Sequence, residues 1–252
     1  MTSADIARFF DSAGYMKLPG LLPDELLSQM QKVVAAGLED RVTPFRMNSA
    51  GEACRLDSLL ERDGVFLDAL RTPFVLDALI AILGPNVEVT RHRHNHATRN
   101  APGDIPFRLH RDIQQWSRPL ISVFFYFEAA TVDNGCTTVV PASHRIPYAG
   151  PQSGGGGGNW ADEHDEYRHL IGQELPLEMP RGGVLLLNSL CFHSVGAARR
   201  SGGSRLSAVF ACRSIDEIAS EGGDDSVLLC GSRRFVGNKA LEVSGSLRRG
   251  DN

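Results

Sequence analysis

Near Val87 the apolar residues stop recurring every three to four positions and begin to alternate in twos. That switch constrains the fold more than any other feature, because a helical first third followed by short strands has to pack helices against a β core. Before it, Thr2 or Ser3 caps a first helix carrying Ile6, Phe9 and Phe10, and Gly14 ends it. Tyr15 to Leu18 reads as a short strand. Pro23-Asp24-Glu25 opens a second helix that buries Leu26, Leu27, Met30, Val33 and Val34. Residues 40–64 are polar and irregular. A further helical stretch runs from Val65 to Leu83, restarting at Pro73, and Gly84-Pro85-Asn86 stops it.

After the switch, Val87-Glu88-Val89 leads into Arg91 to His96, where His alternates with Arg or Asn. As a strand this stretch puts three His on one face. Neighbours on one face of a flat strand lie about 6.5–7 Å apart, too far to share one ion, so the stretch reads as a polar strand lining a cavity or the surface. Leu120 to Phe127 is an apolar, β-rich run, and Asp133-Asn134-Gly135 is a turn signal. A short strand and corner span Val139 to His144. Gly154 to Gly158 open a loop, a candidate lid. Val184 to Asn188 and Arg205 to Ala211 are further strands, and the chain past Ser214 reads as a polar tail. The expectation is one α+β domain over residues 1–252, mainly β, with a helical part to about 86 and a core over about 87–214.

Composition narrows the function classes. A net charge of −4 gives no electrostatic reason to expect nucleic acid or an anionic membrane as partner. No apolar run approaches the roughly 18–20 residues that span a bilayer, and the N-terminus lacks a basic start with an apolar core. The five cysteines have no CxxC spacing and read as reduced thiols of a cytoplasmic protein. A small-molecule substrate is expected, with oligomeric state left open.

Chemistry concentrates at His110-Arg111-Asp112. Two positions apart on an extended segment, the imidazole and the carboxylate project to one face, which is the pairing that 2-His-1-carboxylate Fe(II) sites complete with a distant second His. The pair alone is weak evidence. With 8 His and 30 acidic residues in 252, about one His-x-acid is expected by chance, and the chain also holds His164-x-Glu166, in the glycine-rich loop. A hairpin centred near Arg199 would set His193 opposite Arg205 and Cys191 opposite Ser207, turning His193, Arg205 and Ser207 to one interior. A metal would satisfy the imidazole and a bound carboxylate the guanidinium. Without the His-x-Asp pair, Arg205 reads as a surface arginine after a turn.

In FFDSAGYMKLPGLLPDELL, HRDIQQW, NGCTTVVPASH and the His193-to-Arg205 spacing, the chain resembles the phytanoyl-CoA hydroxylase-like family of Fe(II)/2-oxoglutarate-dependent oxygenases. The resemblance implies a double-stranded β-helix, a cupin-like jelly-roll barrel. It implies His110, Asp112 and His193 as iron ligands, Arg205 with Ser207 at the 2-oxoglutarate carboxylate, and O2 as co-substrate. It also places Trp116 beside the substrate; Phe107 and Trp160 are further candidate walls. Halogenating relatives lack the acidic ligand, so Asp112 argues for hydroxylation, or for epimerisation, desaturation or cyclisation by the same radical chemistry. A natural-product intermediate is the expected substrate. Two alternatives stand: a cupin-type metalloenzyme that needs no 2-oxoglutarate, and a non-catalytic jelly-roll binding protein.

Overall fold

The computed structural model describes residues 2–102, 108–112, 120–147, 165–199, 203–215 and 226–232. Helix α1 (Ser3–Ala13) starts where the sequence signals it: Thr2 Oγ1 accepts from the Asp5 N–H, and the Asp5 carboxylate accepts from the Thr2 N–H. It ends at Gly14, whose φ of 78° suits a residue without Cβ. Strand β1 (Tyr15–Leu21) follows, then α2 (Asp24–Glu39), which buries Leu27, Met30 and Val34. The polar stretch after it is more ordered than its composition suggests. It contains β2 (Phe45–Met47), β3 (Ala53–Asp57) and the short α3 (Leu59–Arg62). The stretch predicted to restart at Pro73 does so, as α4 (Val65–Leu70) and α5 (Pro73–Leu83).

The strands that follow are β4 (Val87–Thr90), β5 (His96–Asn100), β6 (Leu120–Tyr126) and β7 (Thr137–Val139). The last five are β8 (Leu175–Leu177), β9 (Gly183–Asn188), β10 (His193–Val195), β11 (Arg205–Ser214) and β12 (Ser226–Cys230). The larger sheet runs β1-β9-β6-β11-β5-β3-β2, with β4 also on β11 and β12 on β4; the smaller is β10-β7-β8. All pairings are antiparallel, as in the expected jelly roll. Strand β12 corrects the reading of a polar tail after Ser214: its Ser226 hydroxyl and Arg213 both donate to the buried Glu88 carboxylate.

The central strands β6, β9 and β11 are buried on both faces, which explains their apolar runs, whereas β1 alternates buried and exposed. On β9, Val184 and Leu186 join the core under the helices, while Leu185 and Leu187 face the smaller sheet. On β11, Leu206, Ala208, Phe210 and Cys212 pack on the helical side. Arg205, Ser207 and Val209 line a cavity on the other. The Phe210 ring sits 5.9 Å from those of Phe66 and Phe125, and truncating such a side chain to Ala costs about 3–5 kcal/mol.

Candidate metal centre

Two backbone pairings build the centre. His110 and His193 form an antiparallel bridge, each N–H donating to the other's carbonyl at 2.9 Å, and the Asp112 N–H donates to Ser189 O at 3.0 Å. On its other side His193 pairs with Val139 of β7. This clamp brings one ligand atom from each of His110, Asp112 and His193 within 4.8 Å of the others. Asp112 Oδ1 lies 3.6 Å from His193 Nε2 and 3.8 Å from His110 Nε2.

The outer contacts orient the ligands. His110 Nδ1 is 2.6 Å from Arg108 O, and His193 Nδ1 is 3.0 Å from Cys191 O. A carbonyl only accepts, so each Nδ1 carries the proton and each Nε2 turns a lone pair to the centre, the tautomer a metal needs. Burial, and then His193, push the His110 pKa down to about 4, so its imidazole is neutral at neutral pH. Burial alone would raise the Asp112 pKa, but the surrounding imidazoles His94, His193 and His110 hold it well below the usual carboxylate range. Its second oxygen, Oδ2, accepts from Ser122 Oγ at 3.1 Å. His94 Nε2 lies 3.2 Å from the same oxygen, close enough for attraction but outside hydrogen-bond geometry. Two imidazoles with Nδ1 held by backbone carbonyls and one fixed carboxylate oxygen are a donor set that fits Fe(II).

The middle residue of the motif does a different job. Arg111 is fully buried, with Nη2 donating to Ser143 O and Ile146 O at 2.6 and 2.7 Å and its guanidinium 4.3 Å from the centre of the Phe192 ring. It pins the 140s corner beneath the motif, and burial lowers its pKa to about 10.

The centre opens into a cavity of about 630 Å³ lined by both sheets. Arg205 lies in its wall, 4% exposed. Its Nη1 donates to Ser207 Oγ at 3.1 Å, its guanidinium stands 5.9 Å from the Tyr126 ring centre, and its Nε has no partner. No ion pair to Arg205 occurs among the described residues. A buried guanidinium without a counter-charge fits a ligand that brings its own carboxylate.

Residues 10–207 match the phytanoyl-CoA dioxygenase family. The chain belongs to that family. A curated protein of similar sequence is the dioxygenase sphC of Aspergillus fumigatus, 28% identical over 110 residues, 39% of this chain and 26% of sphC. The match thus spans about a quarter of sphC. Among solved structures, the epimerase SnoN in complex with Fe3+, alpha ketoglutarate and nogalamycin RO superposes with a TM-score of 0.71 at 15% identity, covering 90% of this chain and 98% of SnoN. EctD from S. alaskensis with bound Fe gives 0.67 at 17% identity, covering 85% and 77%. At these identities the likeness is one of fold, and the fold is the family's double-stranded β-helix.

Within this family frame the sequence expectations sort themselves. His110, Asp112, His193, Arg205 and Ser207 all line one cavity. The hairpin expected to join them does not exist: β10 pairs with β7, and β11 pairs with β5 and β6, setting Arg205 opposite Asn100. His193 and Arg205 share a cavity because two sheets enclose it. Nor is the stretch Arg91 to His96 one strand. From Val89 to His96 the chain takes seven steps while their partners on β11, Cys212 and Val209, are three apart, so four residues are looped out. Asn95 fixes the loop by accepting from the Leu60 N–H and donating to Glu61. The loop carries His94, at a φ of 47°, to Asp112, and Arg93 to the Asp112 carbonyl. Which of residues 91–96 face the cavity was left open by the sequence, and the structure turns His92, Arg93, His94 and His96 to it; Arg46 and Arg55 in the wall, and Ser122 beside Asp112, carried no sequence signal. Phe107, Trp116, Trp160, the Gly154–Gly158 loop and His164 lie outside the described residues. None of the five cysteines is in a disulfide. No helix among the described residues is long and apolar enough to cross a membrane.

Proposed function

We propose that the chain is a non-haem Fe(II)/2-oxoglutarate-dependent oxygenase that oxidises a C–H bond of a small molecule. His110, Asp112 and His193 are the iron ligands in this reading, and Arg205 with Ser207 holds the far carboxylate of 2-oxoglutarate. The observation that carries it is the convergence, in one cavity, of two imidazoles with protons turned away, a carboxylate, and an uncompensated buried arginine. When bound, iron and 2-oxoglutarate supply the activation of O2, coupled to decarboxylation to succinate and CO2.

The protein's residues do the rest. Arg205 offers a planar fork for a carboxylate, and Ser207, accepting from it, has its own proton to give the same group. Ser122 occupies Asp112 Oδ2, leaving Oδ1 toward the imidazoles. The cavity walls exclude water so that one C–H bond is held in reach. Asp112 stands where a halide would need space, which favours oxygen transfer or a radical rearrangement over halogenation. A natural-product intermediate is the preferred substrate, in line with the nogalamycin compound bound to SnoN. A cupin that needs no 2-oxoglutarate, or a jelly-roll binding protein, has no use for a bare arginine in this wall.

Anaerobic titration with Fe(II), then 2-oxoglutarate, tests the reading through the visible metal-to-ligand charge-transfer band. A stoichiometric band that is absent in Asp112→Ala supports it. Bound iron without a band would favour the 2-oxoglutarate-independent cupin, and no iron binding the binding module.

A further inference from the structure

Across the cavity wall, cross-strand pairing sets Arg46, Arg55, Thr98, Ser207 and Tyr126 in one row. Paired residues share a face, so the row that begins at Ser207 ends in two arginines. They share one carboxylate: Arg55 Nε and Nη2 both reach Asp57 Oδ1 at 2.7 Å, and Arg46 Nε stands 3.5 Å from Oδ2. One positive charge is left over. Arg55 Nη1 and both Nη atoms of Arg46 have no protein partner among the described residues.

The adjacent row, Asp57 opposite His96, adds a second and independent sign of a ligand. His96 is 9% exposed, and its Nδ1 is buried without a hydrogen-bond partner. Burial first, and then Arg55, keep its pKa well below the ordinary value, so this is a neutral ring with an unanswered polar atom. The charge balance of the cavity points the same way. Its described lining carries Arg46, Arg55, Arg93, Arg99 and Arg205 against Asp112, with Asp57 beside the first two. Yet the chain as a whole is acidic, at −4. A 2-oxoglutarate carboxylate at Arg205 leaves the surplus at Arg55 untouched, because two strand spacings of about 4.8 Å separate Ser207 from Arg55.

We infer that the substrate is itself an anion, whose carboxylate or phosphate docks at Arg55 and Arg46 with His96 completing the hydrogen-bond set. This deepens the oxygenase reading and rests on it. The oxyanion group anchors one end of the molecule at the cavity rim and delivers the other toward His110, Asp112 and His193. Arg55 provides the fixed point, since Asp57 already holds two of its nitrogens and its side chain is only 26% exposed. Arg46, 68% exposed, closes from outside.

The test uses benzoate, phenyl phosphate and uncharged benzamide as probes, titrated calorimetrically into the iron-loaded, 2-oxoglutarate-saturated protein without O2. At least one anion is expected to bind tenfold or more tighter than benzamide. Its affinity should fall with salt, and at least tenfold further in Arg55→Ala, while 2-oxoglutarate affinity stays constant. The tighter anion tells whether the substrate group is a carboxylate or a phosphate. Arg46→Ala and His96→Asn repeat the test should Arg55→Ala not fold. Equal binding of all three probes, no binding of either anion, or anion binding indifferent to these substitutions overturns the inference. Repeating the titration without iron and 2-oxoglutarate, in an Arg205→Ala background, keeps the probe off the other arginine. A failed iron site then leaves this measurement standing.

Discussion

Replacing Arg205 by Met should make the protein more stable and at the same time unable to use 2-oxoglutarate. The side chain is 4% exposed, has no ion-pair partner among the described residues, and leaves its Nε unbonded. What holds it is one hydrogen bond to Ser207 and a position over the Tyr126 ring. These contacts are worth about 0.5–1 kcal/mol each. Exchanging buried ionic groups for apolar residues of similar volume gains about 1–4 kcal/mol, so a net gain of about 1–3 kcal/mol is expected for the ligand-free protein. For a chain of this size each kcal/mol moves the midpoint by about 2–4 °C, giving a rise of roughly 2–12 °C. With ligand the order reverses: 2-oxoglutarate at about a thousand times its Kd stabilises the wild type by about 4.1 kcal/mol, and the variant by nothing. The assay is thermal unfolding of both proteins, iron-loaded and anaerobic, with and without 2-oxoglutarate. A ligand-free variant less stable than wild type would mean the arginine is structurally satisfied. An equal ligand-induced shift in both would place the carboxylate clamp elsewhere.

Three further outcomes follow from named contacts. Ser122→Ala removes the hydroxyl that occupies Asp112 Oδ2 and should weaken Fe(II) binding about 10–100-fold without loss of fold, read by competition with a chromogenic chelator. Gly14→Ala drives a Cβ into Cys191 Sγ and His144 Nδ1 at a φ of 78°, and should lower stability by more than the roughly 1 kcal/mol of the backbone effect alone; denaturant unfolding measures it. Burial pushes the Cys191 thiol up to about 11 and raises those of Cys136 and Cys212, while Cys54 and Cys230 are partly exposed. Iodoacetamide at pH 8 should therefore label only the last two in the native protein, as mass spectrometry of the peptides would show; early labelling of Cys191 would contradict its packing.

The parts of the fold that were legible in the sequence are those governed by period. β9 and β11 declared themselves because a strand covered on both faces leaves no polar gap, and Pro73 and Gly84 marked the helix limits. His110 and Asp112 were legible as a pair because a two-residue spacing fixes a shared face whatever the partner strand. Register was not legible. The turn after His193 invited a local hairpin, whereas His193 is held by segments 83 and 54 residues earlier, around His110 and Val139. Long-range pairing also hid the four looped-out residues that bring His94 to Asp112, and the row that carries Arg55 from a polar stretch into the cavity. β12 was missed because its stabilising partner, the buried Glu88, lies 138 residues away from Ser226.

Strand β11 separates two kinds of selective pressure by the parity of residue number. Over 205–210 its odd positions line the cavity and its even positions pack in the core, so a substitution there should alter either the cavity or folding, seldom both. A lineage can therefore exchange Val209 to reshape the cavity while Leu206, Ala208 and Phe210 go on holding the barrel together. One strand thus serves as both the scaffold's keel and its most adjustable wall.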